Sequence, residues 1–391
     1  MDKKKIILRA LNQHKATILV AVLIALIGGL VFGGVITNRT VITPNLITQI
    51  AFTMIMVVSL NLVVGFLGEL SLGHAGFMYV GAYVAGVVIH FTQNIITVGV
   101  LRFIVALLCG GLAAAIFGFI IGLPALRLRG DYLAIVTLEF GEIIRGVLKN
   151  IKIEGLIKNA AVGFSVKKYA KDYTEYLFII ALVLALVTVI CVQNLIRSKH
   201  GRAITAIRDN EIAARAMGIN VTYYKLFVFV VAAFFAGVAG VMYGFQVSPI
   251  EQSFFSYNYS IEILVMVVLG GMGSIGGSIA AATLITYVNF VLQNRLSGEL
   301  AALKLLIYAI ILIVVVVFKN APALKPLRER FNLKALLRKI TKSHTKPGHI
   351  SDDDAEWNRV ETKIKMDELL SVDFQQKNTY TPDKKSKKED K

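Results

Sequence analysis

Apolar runs of about 18 residues or more recur from residue 15 to residue 318, and they constrain this chain more than any motif. At about 1.5 Å per residue, a helix of that length matches roughly 30 Å of hydrocarbon. Within lipid the backbone must satisfy itself, so only helices and closed barrels can span. Barrel strands would alternate polar and apolar residues over about ten positions, and these runs do not. Composition agrees: 56% of residues are hydrophobic and 17% charged, against about 25% charged in soluble domains. The expected fold is all-α, a polytopic integral membrane protein of about ten transmembrane helices. The runs fall at 15–36, 45–67, 72–91, 99–122, 132–149, 175–196, 226–246, 259–270, 276–293 and 301–318. Glycines interrupt the third, eighth and ninth. The first run is read as a retained span, being too long for a cleavable signal and lacking a small-residue cleavage site. Cys109 and Cys191 both lie in apolar runs and are expected to be buried thiols, with no disulfide or zinc spacing.

Basic residues set the orientation. Lys3, Lys4, Lys5, Arg9 and Lys15 stand before or at the start of the first run. Arg127 and Arg129 separate the fourth and fifth. Arg197, Lys199, Arg202, Arg208, Arg215 and Lys225 lie between the sixth and seventh, and the tail after Phe318 is also basic. Ten spans place all four regions on one side, expected to be the cytosol. The loop at 150–174 is lysine-rich and falls outside, against the rule. The net charge of +17 is thus mainly a topology signal. Nucleic-acid binding would need stacking or groove-reading elements, and none is recognisable. Three regions follow: a cytosolic N-terminus at 1–14, a transmembrane domain at 15–318, and a charged tail at 319–391. Within the tail, LKPLRERFNLKALLRKI (324–340) suits a helix lying on an anionic lipid surface, and the residues beyond it are polar, with a disordered character.

The segment RSKHGRAITAIRDNEIAARAMGINVTYYK (197–225) is a polar island between hydrophobic spans. A polyspanning protein that keeps one helical island outside the membrane generally uses it to touch a partner. Asp209 or Asn210 can cap its helix. Glu211 complements the N-terminal dipole. The small Ala213 and Ala214 allow close approach of another surface, and Gly218 stops the helix.

Two glycine-rich stretches interrupt the hydrocarbon pattern. GFLGELSLGHAGF (65–77) sets Gly68, Glu69, Ser71, Gly73 and His74 at membrane depth. Glycine lets a helix unwind or pack closely, and the polar side chains can then meet freed backbone groups. Such an unwound start can also line a substrate pathway. GGMGSIGG (270–277) lacks the lysine of a phosphate loop and reads as a tight turn between spans. Ionisable groups in or near spans are costly and usually face a cavity or a partner. Glu142 and Arg145 stand three apart on one helix and can pair. Glu139 has no such neighbour, and packing and pathway roles both stay open for it. Glu262 is the fourth such group. No metal-ligand or nucleophile constellation emerges, so no catalytic residue and no metal is expected.

Four blocks carry a family resemblance. GFLGELSLGHAGFMYVGAYVAG (65–86), LRLRGDYLAIVTLEFGEIIR (126–145), GRAITAIRDNEIAARAMGINVTYYKLFVFVVAAFFAGVAG (201–240) and SIEILVMVVLGGMGSIGG (260–277) resemble, in order and spacing, segments of the branched-chain amino acid ABC transporter permeases of the LivM type. The resemblance runs from about residue 45 to residue 318. It implies the membrane subunit of an ATP-driven importer, located in the bacterial cytoplasmic membrane with both termini cytosolic. Its partners would be a second permease, two ATP-binding subunits and an extracytoplasmic binding protein, with ATP and magnesium held by the partners and no cofactor on this chain. The island becomes a coupling helix, with Asp209, Glu211, Ala213, Ala214 and Gly218 as coupling residues. Gly68, Glu69, Ser71, Gly73, His74 and Glu139 become candidates for the translocation pathway. Branched-chain amino acids lead as substrate. Nucleosides, urea or amides are the alternatives within the scaffold, and an ion-coupled secondary transporter is the alternative outside it.

Overall fold

The computed structural model describes residues 43–96, 98–128, 130–151, 177–247, 249–295 and 313. All of them lie in the compact unit Met1–Asn320. The first and last expected spans, the N-terminus, the loop at 152–174 and the tail with its amphipathic stretch lie outside the described residues, apart from residue 313 in the last span.

Eight helices take the place of the eight intervening runs. They are α1 (Pro44–Asn61), α2 (His74–Thr92), α3 (Gly99–Ala125), α4 (Asp131–Asn150), α5 (Leu177–Arg197), α8 (Val221–Gln246), α9 (Tyr257–Gly270) and α10 (Ile275–Arg295). The island forms two more, α6 (Lys199–Asp209) and α7 (Glu211–Ala216). Six of the long elements are apolar and long enough to cross a membrane; α9 is shorter, and α4 carries several charges. Local chemistry fixes the starts. Thr43 caps α1 through its hydroxyl, which accepts from Leu46 N, and Pro44 occupies the first turn, where a missing N–H costs nothing. Asn220 caps α8 by accepting from Tyr223 N at 3.1 Å.

The central helix is α1. It is apolar on every face and almost wholly buried, as expected of a helix enclosed by others. Helix α8 runs antiparallel to it: Gln246 Nε2 donates to Asn45 O at 2.6 Å, while the start of α8 lies at the island. Helices α2, α3 and α8 pack through small residues. A Cβ at Gly240 would come within 1.9 Å of Met78 O, and one at Gly81 within 2.1 Å of Gly237 O. Where hydrocarbon surrounds the helices, such backbone approach supplies much of the attraction between them.

The outer faces are apolar. Helix α3 buries Ala106, Gly110, Ala114 and Gly118 and turns Ile104, Leu108, Leu112 and Ile116 outward. Cys109 is half-buried, but Cys191 is exposed. The expected burial fails at Cys191 because it shares an outward stripe of α5 with Val183 and Val187, at i, i+4 spacing.

Candidate functional site

At its island end α1 widens into a π-turn, Leu62–Leu67, closed by Gly68 in the left-handed region at φ 83°. A π-turn offsets the backbone ladder and frees carbonyls, and such turns are frequent at functional sites. Here Arg208 of α6 donates through Nη1 to Gly65 O at 3.1 Å. Gly68 lies beneath the arginine stem, where a Cβ would stand 2.7 Å from its Cγ.

Asn61 joins this turn to the second glycine stretch. Its Nδ2 donates to Ser278 Oγ at 2.9 Å, and its Oδ1 accepts from Gly273 N at 2.9 Å. Gly271 and Gly273 hold φ of 99° and 77°, which only glycine adopts readily. GGMGSIGG is therefore the α9–α10 turn, and the two glycine stretches meet around one buried carboxamide.

The island rests on the same region. Lys225, one turn into α8, is 4% exposed. Its ammonium contacts Glu69 and lies 3.1 Å from Glu211 Oε2. Glu211 in turn pairs with Arg215 at 2.9 Å. Between α6 and α7 the chain breaks at Asn210, whose Oδ1 accepts from Ala213 N. Of the two residues expected to cap the island helix, Asn210 does so; Asp209 pairs with Arg208. Gly218, at φ 81°, ends α7, and Ile219 N donates to Ala214 O, a Schellman closure. Ala214 faces inward and is buried, whereas Ala213, Ala216 and Gly218 face outward. Beside them Ile212 is 78% and Met217 82% exposed.

From Glu69 the chain runs without helical structure into the bundle. Leu72 N donates to Thr137 Oγ1, and Gly73 lies against Thr137 O, where a Cβ would be at 2.6 Å. Helix α2 then begins at His74, with Ala75 N donating to Ser260 Oγ. Ser71 and His74 are buried within the chain's own packing, and neither hydroxyl nor imidazole has a hydrogen-bond partner among the described residues. The His74 ring meets Phe77 edge-on at 6.0 Å.

At the opposite end, Arg145 Nε donates to Glu142 Oε2 at 2.8 Å, and Glu142 Oε1 accepts from Tyr257 N at 2.9 Å. Glu142 thereby caps α9. Asn289 Nδ2 donates to Glu262 Oε1. Glu139 sits on the outward face of α4, in line with Tyr132, Ile135, Ile143 and Val147.

The candidate residues thus separate. Gly68, Glu69 and Glu211 gather at the island; Ser71, Gly73 and His74 lie inside the bundle; Glu139 faces away from it. Asn61, Thr137 and Ser260 were missed, and Arg208 and Lys225 were read only as topology signals. Asn61 did carry a visible signal, as an amide in the middle of an apolar run.

Residues 42–316 match the family model described as branched-chain amino acid transport system / permease component. The chain belongs to this permease family. It is 32% identical over 317 residues to the high-affinity branched-chain amino acid transport system permease protein LivM of Salmonella typhimurium, covering 74% of this chain and 72% of that one. The LivM protein of Escherichia coli is 32% identical over 318 residues, covering 75% and 72%. A probable LivM protein of Methanocaldococcus jannaschii is 26% identical over 168 residues, covering 41% and 49%. The permease is therefore of the LivM type, an all-α, multi-pass membrane protein, and the matched region takes in both glycine stretches and the whole island.

Proposed function

We propose that this permease is the membrane-spanning subunit of an ATP-binding-cassette importer for branched-chain amino acids. One observation carries the coupling role: α7 is braced from behind by Ala214 and Glu211 and offers Ile212, Ala213, Ala216, Met217 and Gly218 outward. Two bare apolar side chains beside small residues on a rigid helix suit a groove on a partner protein, where buried anchors supply most of the binding energy. The partner here is an ATP-binding subunit. A second permease and an extracytoplasmic binding protein complete the assembly, with ATP and magnesium on the partner subunits. The permease lies in the bacterial cytoplasmic membrane, with island and termini on the cytosolic side, as the basic residues favour.

The translocation path runs between the two permeases along the outward face of α4. A carboxylate at the position of Glu139 would be costly against acyl chains, so a pathway or a facing subunit covers it. Closure of the ATPase dimer moves the island, and the permeases rock about the path between them. Nucleosides, urea or amides would use the same scaffold, and the binding protein's ligand separates them from leucine, isoleucine and valine.

Uptake of radiolabelled leucine by proteoliposomes holding the assembled transporter tests this reading. Uptake should require ATP and the binding protein and survive an uncoupler. Met217→Arg should insert normally yet lower uptake at least about tenfold, since a buried anchor is worth about 2 kcal/mol or more. Uptake that follows an ion gradient and ignores ATP would replace this reading with a secondary transporter.

A further inference from the structure

Two cations fasten the island to the start of the glycine-rich segment, and the geometry points to a use for them. Arg208 holds Gly65 O and covers Gly68, while Lys225 holds Glu69 on one side and Glu211 on the other. Residues 65–69 are thus gripped from α6 and α8, and α7 is tied to the same lysine through Glu211. Beyond Glu69 the chain has no helix of its own until His74. Its backbone is bonded instead to Thr137 of α4 and, at Ala75, to Ser260 of α9.

We propose that Lys225 and Glu69 are the coupling link of this permease: displacement of α7 passes through Glu211, Lys225 and Glu69 into segment 68–73, and from there to α4 and α9. The proposal rests on the island's docking to an ATP-binding subunit. Three physical points support it. First, Lys225 is buried, so its ammonium cannot exchange either carboxylate for water without opening the packing; a buried charge left without its partner is strongly unfavourable. Second, segment 68–73 is short, non-helical and glycine-bearing, so a pull at Glu69 is not absorbed by a helical ladder. Third, the segment is tied to α4 by the bond from Leu72 N to Thr137 Oγ1 and by the close approach of Gly73, and the start of α2 that follows it is tied to α9 by the bond from Ala75 N to Ser260 Oγ. One of these, α4, bears Glu139 on its outward face. Glu69 therefore acts at the island end of the segment, as a positioning residue rather than a pathway residue.

The test uses the complete transporter, with its ATP-binding subunits and binding protein, in proteoliposomes. Leucine imported and ATP hydrolysed are measured together for Glu69→Gln, Glu69→Asp and Lys225→Met. The expected result is a ratio of leucine to ATP lowered about tenfold in Glu69→Gln and Lys225→Met, and largely restored in Glu69→Asp, which keeps the charge. The ratio does not depend on how much transporter assembles, so a merely structural role would lower both rates and leave it unchanged. If Lys225→Met does not assemble, the comparison of Gln with Asp at position 69 decides. A cysteine at Met217, cross-linked to the ATP-binding subunit, reports docking separately. Absence of that cross-link in an otherwise unaltered transporter would sink the docking reading. A cross-link that forms, with the leucine-to-ATP ratio unchanged in Glu69→Gln, would overturn the link alone.

Discussion

Gly65→Ala should loosen the permease at the point where its two glycine stretches meet. A Cβ at residue 65 would lie 1.9 Å from Asn61 Oδ1 and 2.3 Å from Gly273 N. Neither distance is tolerable, and the second involves backbone. To make room, Asn61 must swing away or the α9–α10 turn must lift, and either movement breaks the bond from Gly273 N to Asn61 Oδ1. The stranded amide and hydroxyl cost about 1–3 kcal/mol, although hydrogen bonds between membrane helices average nearer about 0.6 kcal/mol. Overpacking adds about 1–3 kcal/mol. A total of about 3 kcal/mol corresponds to roughly a hundredfold change in the folding equilibrium. At about 2–4 °C per kcal/mol for a domain of a few hundred residues, the melting temperature should fall by about 6 °C or more. The assay is the fraction of purified permease that stays monodisperse in detergent after heating. Gly276→Ala is the control, because a Cβ at that nearby glycine meets nothing within 4 Å. A Gly65→Ala melting temperature within about 1 °C of the unaltered permease, or an equal fall in Gly276→Ala, would refute the reasoning, since overpacking at this site should cost at least about 1 kcal/mol.

Two further outcomes are expected. Glu142→Gln removes both the pairing with Arg145 and the charged cap on α9, whose first amide lies 2.9 Å from the carboxylate; because both side chains are partly exposed, the loss should be about 1 kcal/mol, read as a fall of a few degrees in the same assay. Gly240→Leu should prevent α2 and α8 from closing, since even a Cβ there would stand 1.9 Å from Met78 O, whereas Gly146→Leu, with nothing within 4 Å of its Cβ, should accumulate normally; immunoblots of the membrane fraction compare the two, and equal accumulation would contradict the close α2–α8 packing.

Much of the fold was legible because lipid imposes a coarse rule. Length and apolarity alone placed eight helices within a few residues of their observed ends, and Gly218 and Asn210 bracketed α7 as their backbone chemistry requires. The side-chain placements were less legible, for a physical reason. Apolar periodicity reveals a face only where another face is polar, and in this bundle both buried and outward faces are apolar. Ala213 and Ala214 are neighbours of identical chemistry, yet one faces out and the other in. Cys191 and Cys109 sit in equally apolar runs and differ only in which stripe they occupy. Nor could the π-turn be read, because Leu62–Leu67 has the composition of an ordinary helix, and the groups bonded to it and to the neighbouring Asn61, namely Arg208 and Gly273, are far away in sequence.

The polar residues of spans deserve a different weighting from the one that cost alone suggests. Glu69, Ser71 and His74 share one short stretch and would all be costly in lipid, and that cost predicts only that each avoids acyl chains. It does not distinguish a water-filled path from burial against protein. The distinction lies in the partners. Glu69 is matched by a lysine written 156 positions later at Lys225, segment 68–73 by a hydroxyl on α4, and the start of α2 by one on α9. Lys225 reads in sequence as one more basic residue marking the cytosolic side. Its burial changes that reading: a charge that marks topology stays solvated, whereas this one is enclosed between two carboxylates on separate elements. A lysine near the edge of a span, with acidic residues in an adjoining glycine-rich stretch, is therefore a candidate for transmitting motion as well as for setting orientation.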